Sequence, residues 1–201
     1  MALVRAIVAD EAAALRLLAA SPVLASARVE AGATRQEANA YYLEEIAHYL
    51  YAGDTALHVA AAGYRHEIVR RLIESGANVR ARNRRGAEPL HYAADGIPGA
   101  HTWNPSAQAA TVAGLIAAGA DPNAVDNSGV TPLHRAVRTR CAAAVSALLD
   151  GGADVRRQNK NGSTPMQLAT RNTGRGGAGS PEAKAQQEEI VRLLEQHGAA
   201  R

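Results

Sequence analysis

The stretch Thr131-Pro132-Leu133-His134 decides how the chain folds, because near-copies of it recur along the sequence. The copies are Thr55-Ala56-Leu57-His58, Glu88-Pro89-Leu90-His91 and Thr164-Pro165-Met166-Gln167, and successive copies are 33, 43 and 33 residues apart. A second mark, Gly-Ala followed by a polar residue, lies at 76–78, 119–121 and 152–154 and is truncated at 198–199. Two independent marks with one basic period predict a stack of structural repeats.

Each part of the repeat has a physical reason. Thr131 is a good N-cap, and Pro132 has no amide proton to lose in the first helical turn. The segment 145–149 has the apolar spacing of a second helix, and Gly152 can end that helix in the left-handed conformation. Asn161-Gly162 is typical of a tight turn and predicts a hairpin finger. The unit is therefore a helix, a turn, a helix and a finger, with one apolar side.

At these residues the chain resembles the ankyrin repeat family, whose pattern is T-P-L-H-x-A-A followed by V-x-x-L-L-x-x-G-A-D. Residues 129–162 match this pattern closely, and the resemblance extends over about 53–201. It implies an all-α fold, an ankyrin-repeat solenoid of stacked helix-turn-helix units with short β-hairpin fingers. It implies no particular ligand, because family members share a scaffold and differ in what they bind.

The marks divide residues 53–201 into four repeats, which together with the N-terminal segment form one continuous domain. The predicted repeats are 53–85, 86–128, 129–161 and 162–201. Repeats two and four are too long, and the excess falls between their two helices as Gly- and Pro-containing loops at 96–106 and 172–180. In repeat four, Ser180-Pro181 predicts a helix start, and the helix should end near Gln196.

Residues 1–52 match the repeat pattern poorly. We predict helices near 3–9 and 11–20, and a third over 35–51, because Leu43, Ile46 and Leu50 share one helical face. Terminal repeats of a solenoid are atypical, so we interpret 1–52 as a degenerate helical N-terminal cap. The alternative is a docking surface, since four of the six tyrosines lie in this segment.

Composition and charge exclude several classes of protein. The sequence contains no run of about 18 apolar residues, so it predicts no membrane-spanning helix. The acidic residues Asp10 and Glu11 argue against a signal peptide. The single cysteine, Cys141, excludes an intrachain disulfide and fits a reducing, cytoplasmic location. The net charge is only +3, but residues 130–175 carry eight basic side chains against two acidic ones.

The recurring His58, His91 and His134 do not predict a metal site. Stacked helices are roughly 10 Å apart, whereas zinc needs its ligands within about 2.3 Å. The resemblance implies that this histidine is structural and forms hydrogen bonds between neighbouring repeats. Gln167, at the same position of the fourth repeat, can form some of these hydrogen bonds. We therefore expect no metal and no cofactor.

The resemblance implies that partners bind the concave face. That face would be lined by the residue after each histidine, by residues one turn further along, and by the fingers. The predicted contacts are Tyr92, Arg135, Arg138, Leu168, Arg171 and the finger residue Arg84. An aromatic side chain beside several arginines is a composition enriched at binding hot spots.

The two inserted loops should emerge on one edge of the stack, because both interrupt the same helix–helix turn. That edge could gather His101, Trp103, Arg140, Arg175 and Ser180 around a glycine-rich loop whose amides suit a phosphate or carboxylate. The Gly-Lys-Ser/Thr ending of a P-loop is missing.

These patterns favour a non-catalytic scaffold that binds an acidic segment of another protein. The alternative is a sensor of a small anionic or phosphorylated ligand at the loop edge. The sequence carries no catalytic motif, although Arg140 could lower the pKa of Cys141. We do not expect nucleic-acid or membrane binding, and the chain should be a monomer or a weak dimer.

Overall fold

The computed structural model describes residues 1–171 and 181–200. The inserted loop predicted at 172–180, with Arg175 and Ser180, lies outside the described residues. The described part contains ten α-helices, two short β-strands and three short 3-10 turns. The helices are α1 (Ala2–Ala9), α2 (Glu11–Ala20), α3 (Ala56–Ala62), α4 (His66–Glu74), α5 (Pro89–Ala93), α6 (Pro105–Ala117), α7 (Pro132–Arg138), α8 (Ala142–Asp150), α9 (Pro165–Thr170) and α10 (Pro181–Gln196).

The helices pair and stack as the repeat pattern predicts. The first helices α3, α5, α7 and α9 contact one another in order, and the second helices α4, α6, α8 and α10 do the same. The stack is held by the recurring leucine position, since Leu57, Leu90 and Leu133 have no exposed surface and Met166 is 1% exposed. One thin apolar layer therefore runs through the molecule, between the two rows of helices.

The fingers are tight turns rather than paired strands. In each, the side chain of one Asn or Asp accepts two backbone amides: Asn83 accepts those of residues 85 and 87, Asp126 those of 128 and 130, and Asn159 those of 161 and 163. The glycine three residues on has a positive φ in all three turns, which L side chains avoid. The predicted hairpin geometry is present at the turn, but the described fingers contain no assigned strand.

The N-terminal segment differs from its prediction in one part. Helices α1 and α2 form as expected, and they pack on α3 and α4 as one repeat packs on the next. The predicted helix over 35–51 is wrong: this segment forms 3-10 turns and a hairpin of β1 (Tyr42–Leu43) and β2 (His48–Tyr49). Tyrosine is a residue that favours β-strands, and this segment is rich in it. Ile46 and Leu50 are buried as an apolar helix face would be, but they reach the core from the hairpin and the residues that follow it.

Repeats three and four copy the internal construction of repeats one and two. Leu57 and Leu133 are 76 residues apart, as are Leu90 and Met166. At the same offset, Tyr64 and Arg140 both have a left-handed backbone, and each reaches the carboxyl end of the next first helix. The Tyr64 hydroxyl donates to the carbonyl of Asp95 (2.5 Å), and Arg140 donates to those of Ala169 (2.7 Å) and Arg171 (3.0 Å).

A glutamine of the second helix completes this cap in both long repeats. Gln108 Nε2 donates to the carbonyls of Ala93 and Asp95 at 3.0 and 3.1 Å, and Gln187 Nε2 donates to that of Ala169 at 2.7 Å. Trp103 donates to Gln108 Oε1 and so fixes the orientation of that amide. An insertion between two helices removes their usual tight turn, and these side chains satisfy the helix-end carbonyls instead.

Candidate functional site: a groove lined by first helices and fingers

A groove of about 700 Å³ lies on the side of the stack that presents the first helices and the fingers. Five of the six predicted concave-face residues line it, namely Tyr92, Arg135, Arg138, Leu168 and Arg171. Arg84 does not: its guanidinium bonds to the carbonyl of Ala33 and lies over the Tyr51 ring, and the neighbouring Arg85 lines the groove instead. Further walls come from the β1–β2 hairpin (Ile46, Ala47, His48, Tyr49), from the inserted segment (Gly96, Ile97, Thr102, Trp103) and from finger residues such as Asn83, Asp126, Asn159 and Asn161.

The floor of the groove is a buried polar cluster around Asp54, which is fully buried. Its carboxylate accepts the Tyr92 hydroxyl at 2.9 Å, Asn83 Nδ2 at 2.8 Å and the Tyr51 amide at 2.7 Å. Burial and the Asp54 charge together raise the pKa of Tyr92, so its hydroxyl stays a donor. Tyr92 is only 2% exposed, and its main role in this geometry is to bond repeat two to repeat one.

Beside this floor, Arg135 holds two carboxylates from the preceding repeat. Its guanidinium lies 2.9 Å from Asp95 and 3.2 Å from Asp126, and the residue is 7% exposed. Burial acts to raise the pKa of Asp95, but the Arg135 charge and the nearby His48 outweigh it, and the pKa of Asp95 is lowered. Arg135 lines the groove as predicted, but its charge is already neutralised within the protein.

The hairpin covers one end of the groove. The His48 ring stacks on Tyr92 with centroids 4.3 Å apart, and its Nε2 lies 3.9 Å from the Asp95 carboxylate. We call the region of Tyr92, Asp95 and Arg135 the inner half of the groove. His48 and Asp54 were not predicted as site residues. The one sequence signal for them is that both are polar residues close to the start of the first repeat's Thr55–His58 motif.

The opposite end, which we call the outer half, is formed by Arg138, Leu168 and Arg171. Arg171 is exposed, while Leu168 and Arg138 are half-buried. The finger residues Asn159 and Asn161 line the same end. In the described part of the chain, the four arginines that line the groove outnumber its two aspartates, and both aspartates face Arg135.

Of the predicted anion-binding edge, the structure describes His101, Trp103 and Arg140, and it does not bring these three side chains together around one site. Arg140 is 1% exposed, and its two terminal nitrogens donate to backbone carbonyls, because its left-handed backbone turns the side chain into the next repeat. Trp103 is bonded to Gln108 and lines the groove, while His101 is exposed beside a smaller cavity. Arg175 and Ser180 lie outside the described residues.

The recurring histidines have the predicted structural role. Nδ1 accepts the amide of the N-cap residue, so Nε2 carries the proton and donates to the next finger. His58 bonds to the carbonyl of Ala87 at 3.1 Å, His91 to Val130 and His134 to Ser163, both at 3.0 Å. Burial lowers the pKa of all three, that of His91 to about 3. The described residues contain no cluster of metal-ligating side chains.

Cys141 is buried beside the inserted segment and is not an activated nucleophile. Burial raises its pKa to about 11, the opposite of the effect predicted from its neighbour Arg140. The Arg140 guanidinium points instead to the carbonyls of repeat four. The Cys141 sulfur lies 3.5 Å from the Thr139 hydroxyl, a neutral partner that provides no general base.

Comparison with known proteins agrees with this architecture. A family model described as ankyrin repeats (3 copies) matches residues 33–101, and one described as ankyrin repeats (many copies) matches residues 115–169. The first match begins inside the segment interpreted as a cap. No curated protein matches the chain. No helix in the described residues is both long and apolar enough to cross a bilayer. The matched segments cover well over half of the sequence, and the chain belongs to the ankyrin repeat family.

Proposed function

We propose that the protein binds an acidic segment of a partner protein in the groove, with the outer half as the main contact. Ankyrin repeat proteins generally mediate protein–protein interaction and are generally non-enzymatic scaffolds. The observation that carries the proposal is the distribution of charge along the groove. Arg138 and Arg171 line the outer half from neighbouring repeats, and among the described lining residues of the whole groove four arginines stand against two aspartates.

Two further features support an extended, acidic occupant. The groove follows the row of first helices, so an extended segment can lie along it and contact neighbouring repeats. Its outer half is also lined by Asn161 and by Asn159, whose Nδ2 remains a donor when its Oδ1 accepts the finger amides, and such side-chain amides can bond to a peptide backbone. Guanidinium groups bind carboxylates through two parallel hydrogen bonds, which gives orientation as well as affinity.

The experiment is a peptide-display selection against the whole chain, followed by affinity measurement by fluorescence anisotropy. The selected peptides should be enriched in Asp and Glu. The variant Arg138→Glu/Arg171→Glu should weaken their binding by at least about tenfold, since each lost charged hydrogen bond is worth roughly 1.5–3 kcal/mol. Binding should also weaken with added salt, because exposed charges are screened.

The matched control is Arg16→Glu/Lys184→Glu, which makes the same change in net charge on exposed residues that do not line the groove. It should leave affinity within about twofold. If both double variants lose affinity equally, only net charge matters and the groove is not the site. If the selection yields no acidic peptides, the assignment of an acidic partner is wrong.

A further inference from the structure

The two halves of the groove are equivalent positions with opposite chemistry. Tyr92 and Leu168 are 76 residues apart, and so are Asp95 and Arg171. This is the same offset that relates Leu90 to Met166 and the fingers at Asn83 and Asn159. The carbonyls at these positions are capped in corresponding ways in both halves, by Tyr64 at Asp95 and Arg140 at Arg171, and by Gln108 at Ala93 and Gln187 at Ala169. What one half binds therefore indicates the geometry available to the other.

The inner half already holds a side chain, that of His48. Its ring face lies on Tyr92 at 4.3 Å, and its Nε2 lies 3.9 Å from the Asp95 carboxylate. One side chain thus covers both positions, with an apolar body on residue 92 and a polar end at residue 95. The hairpin is anchored beside the groove: Ile46 is 8% exposed, and its Cγ2 would lie 2.8 Å from a Cβ placed on Gly63.

The outer half presents the same pair of positions with the charge inverted. Leu168 replaces Tyr92 and Arg171 replaces Asp95, and Arg138 adds a second cation from the preceding repeat. The side chain that fits must have an apolar stem and an anionic end. Glutamate has both, since its two methylenes can cover Leu168 while its carboxylate reaches the guanidinium, and aspartate is one methylene too short to do both as well.

We infer that the outer half binds a glutamate side chain of the partner, as a charge-inverted counterpart of the His48 contact. This rests on the proposed function and makes it specific. The glutamate stem lies on Leu168, and its carboxylate accepts hydrogen bonds from Arg171 and is attracted by Arg138. The inner half, covered by the hairpin, sets the end of the bound segment.

The first test is a double-mutant cycle with a selected acidic peptide. Each Glu of the peptide is changed to Gln and to Asp, and binding is measured to the wild-type chain and to Arg171→Met. At one peptide position, Glu→Gln should weaken binding to the wild type by about tenfold or more, and Glu→Asp by less. The same Glu→Gln change should have little effect with Arg171→Met, since the charged pair is already lost.

The second test exchanges the chemistry of the two halves. The variant Leu168→Tyr/Arg171→Asp gives the outer half the residues of the inner half, and selection against it should yield peptides with His, Lys or Arg in place of the critical Glu. Arg157→Asp is the control, because it makes the same charge change at an exposed residue that does not line the groove. Thermal unfolding by circular dichroism verifies that each variant is folded.

The outcomes separate this inference from the proposed function. If Arg138→Glu/Arg171→Glu abolishes binding but no Glu couples to Arg171, the glutamate contact is wrong and the acidic groove stands. If neither change matters, both are wrong. If the wild-type chain dimerises and Glu44→Gln/Glu45→Gln abolishes the dimer, the occupant is the exposed hairpin turn of a second copy, and the inference of a separate partner is overturned.

Discussion

Arg135 should be the largest single electrostatic contributor to the stability of the repeat stack. In Arg135→Met, the aliphatic length is retained and the charge is removed. Asp95 and Asp126 then remain at 20% and 8% side-chain exposure without the cation that faces both of them. Removing one partner from a buried ion pair costs about 3–5 kcal/mol. Because Asp95 retains some solvent and Asp126 keeps two backbone amides, we expect about 3 kcal/mol, at the lower end of that range.

The pH dependence of this loss has a definite sign. Burial acts to raise the pKa of both aspartates, but the net shift is downward: Arg135 is the main cause at Asp95, whereas at Asp126 the backbone amides of Ser128 and Val130 act first and Arg135 adds to them. Carboxylates with lowered pKa stabilise the folded state above their unfolded pKa of about 4, and this contribution is lost as pH falls through the lower folded value. The difference in unfolding free energy between Arg135→Met and the wild type should therefore be full at pH 7 and shrink below about pH 4.

Urea unfolding followed by circular dichroism at pH 7 and at low pH measures both effects. The triple variant Arg135→Met/Asp95→Asn/Asp126→Asn should recover much of the loss at pH 7, since no charge remains buried; asparagine already occupies the Asp126 position in the fingers at Asn83 and Asn159. Arg171→Met, at an exposed arginine, is the control and should cost less than about 1 kcal/mol. A loss for Arg135→Met below about 1 kcal/mol, or one independent of pH, would refute the reasoning.

Three further predictions concern other buried groups. Cys141 should resist thiol reagents at pH 8 in the folded protein and react on unfolding, since a pKa of about 11 leaves about 0.1% thiolate; rapid labelling of the folded chain would contradict its burial. Tyr64→Phe should lower the unfolding free energy by about 1 kcal/mol through loss of its bond to the Asp95 carbonyl, and an unchanged urea midpoint would show that the cap is unimportant. His91 has a lowered pKa, so the unfolded state takes up its proton first as pH falls below about 6.5, and stability should decrease from there towards pH 3. His91→Gln, which places in repeat two the residue that repeat four has at Gln167, should reduce the pH slope of unfolding free energy between about pH 6.5 and 5, and an identical slope would be inconsistent with a neutral buried imidazole.

The groove shows how far its side chains could be predicted from the sequence. The concave-face positions follow from repeat spacing, so the location of Tyr92, Arg135 and Leu168 on one groove could be predicted. The state of those side chains could not, because Arg135 is neutralised by a carboxylate 40 residues away in sequence. Likewise Arg140 lies in the turn between α7 and α8, and only the folded structure shows that its guanidinium is buried and bonds to the carbonyls of Ala169 and Arg171 in the next repeat.

The sequence by itself determined the repeat unit, its helix starts and stops, and the stacking order, since capping, proline placement and apolar spacing are local properties that recur with one period. Tertiary structure alone decided that residues 42–49 form a hairpin beside the groove, that Asp95 and Asp126 lie against Arg135, and that Arg138 and Arg171 line the groove from neighbouring repeats. The physical reason is that hydrogen bonds and ion pairs between repeats depend on which side chains meet across the stack, and no local pattern encodes those distances.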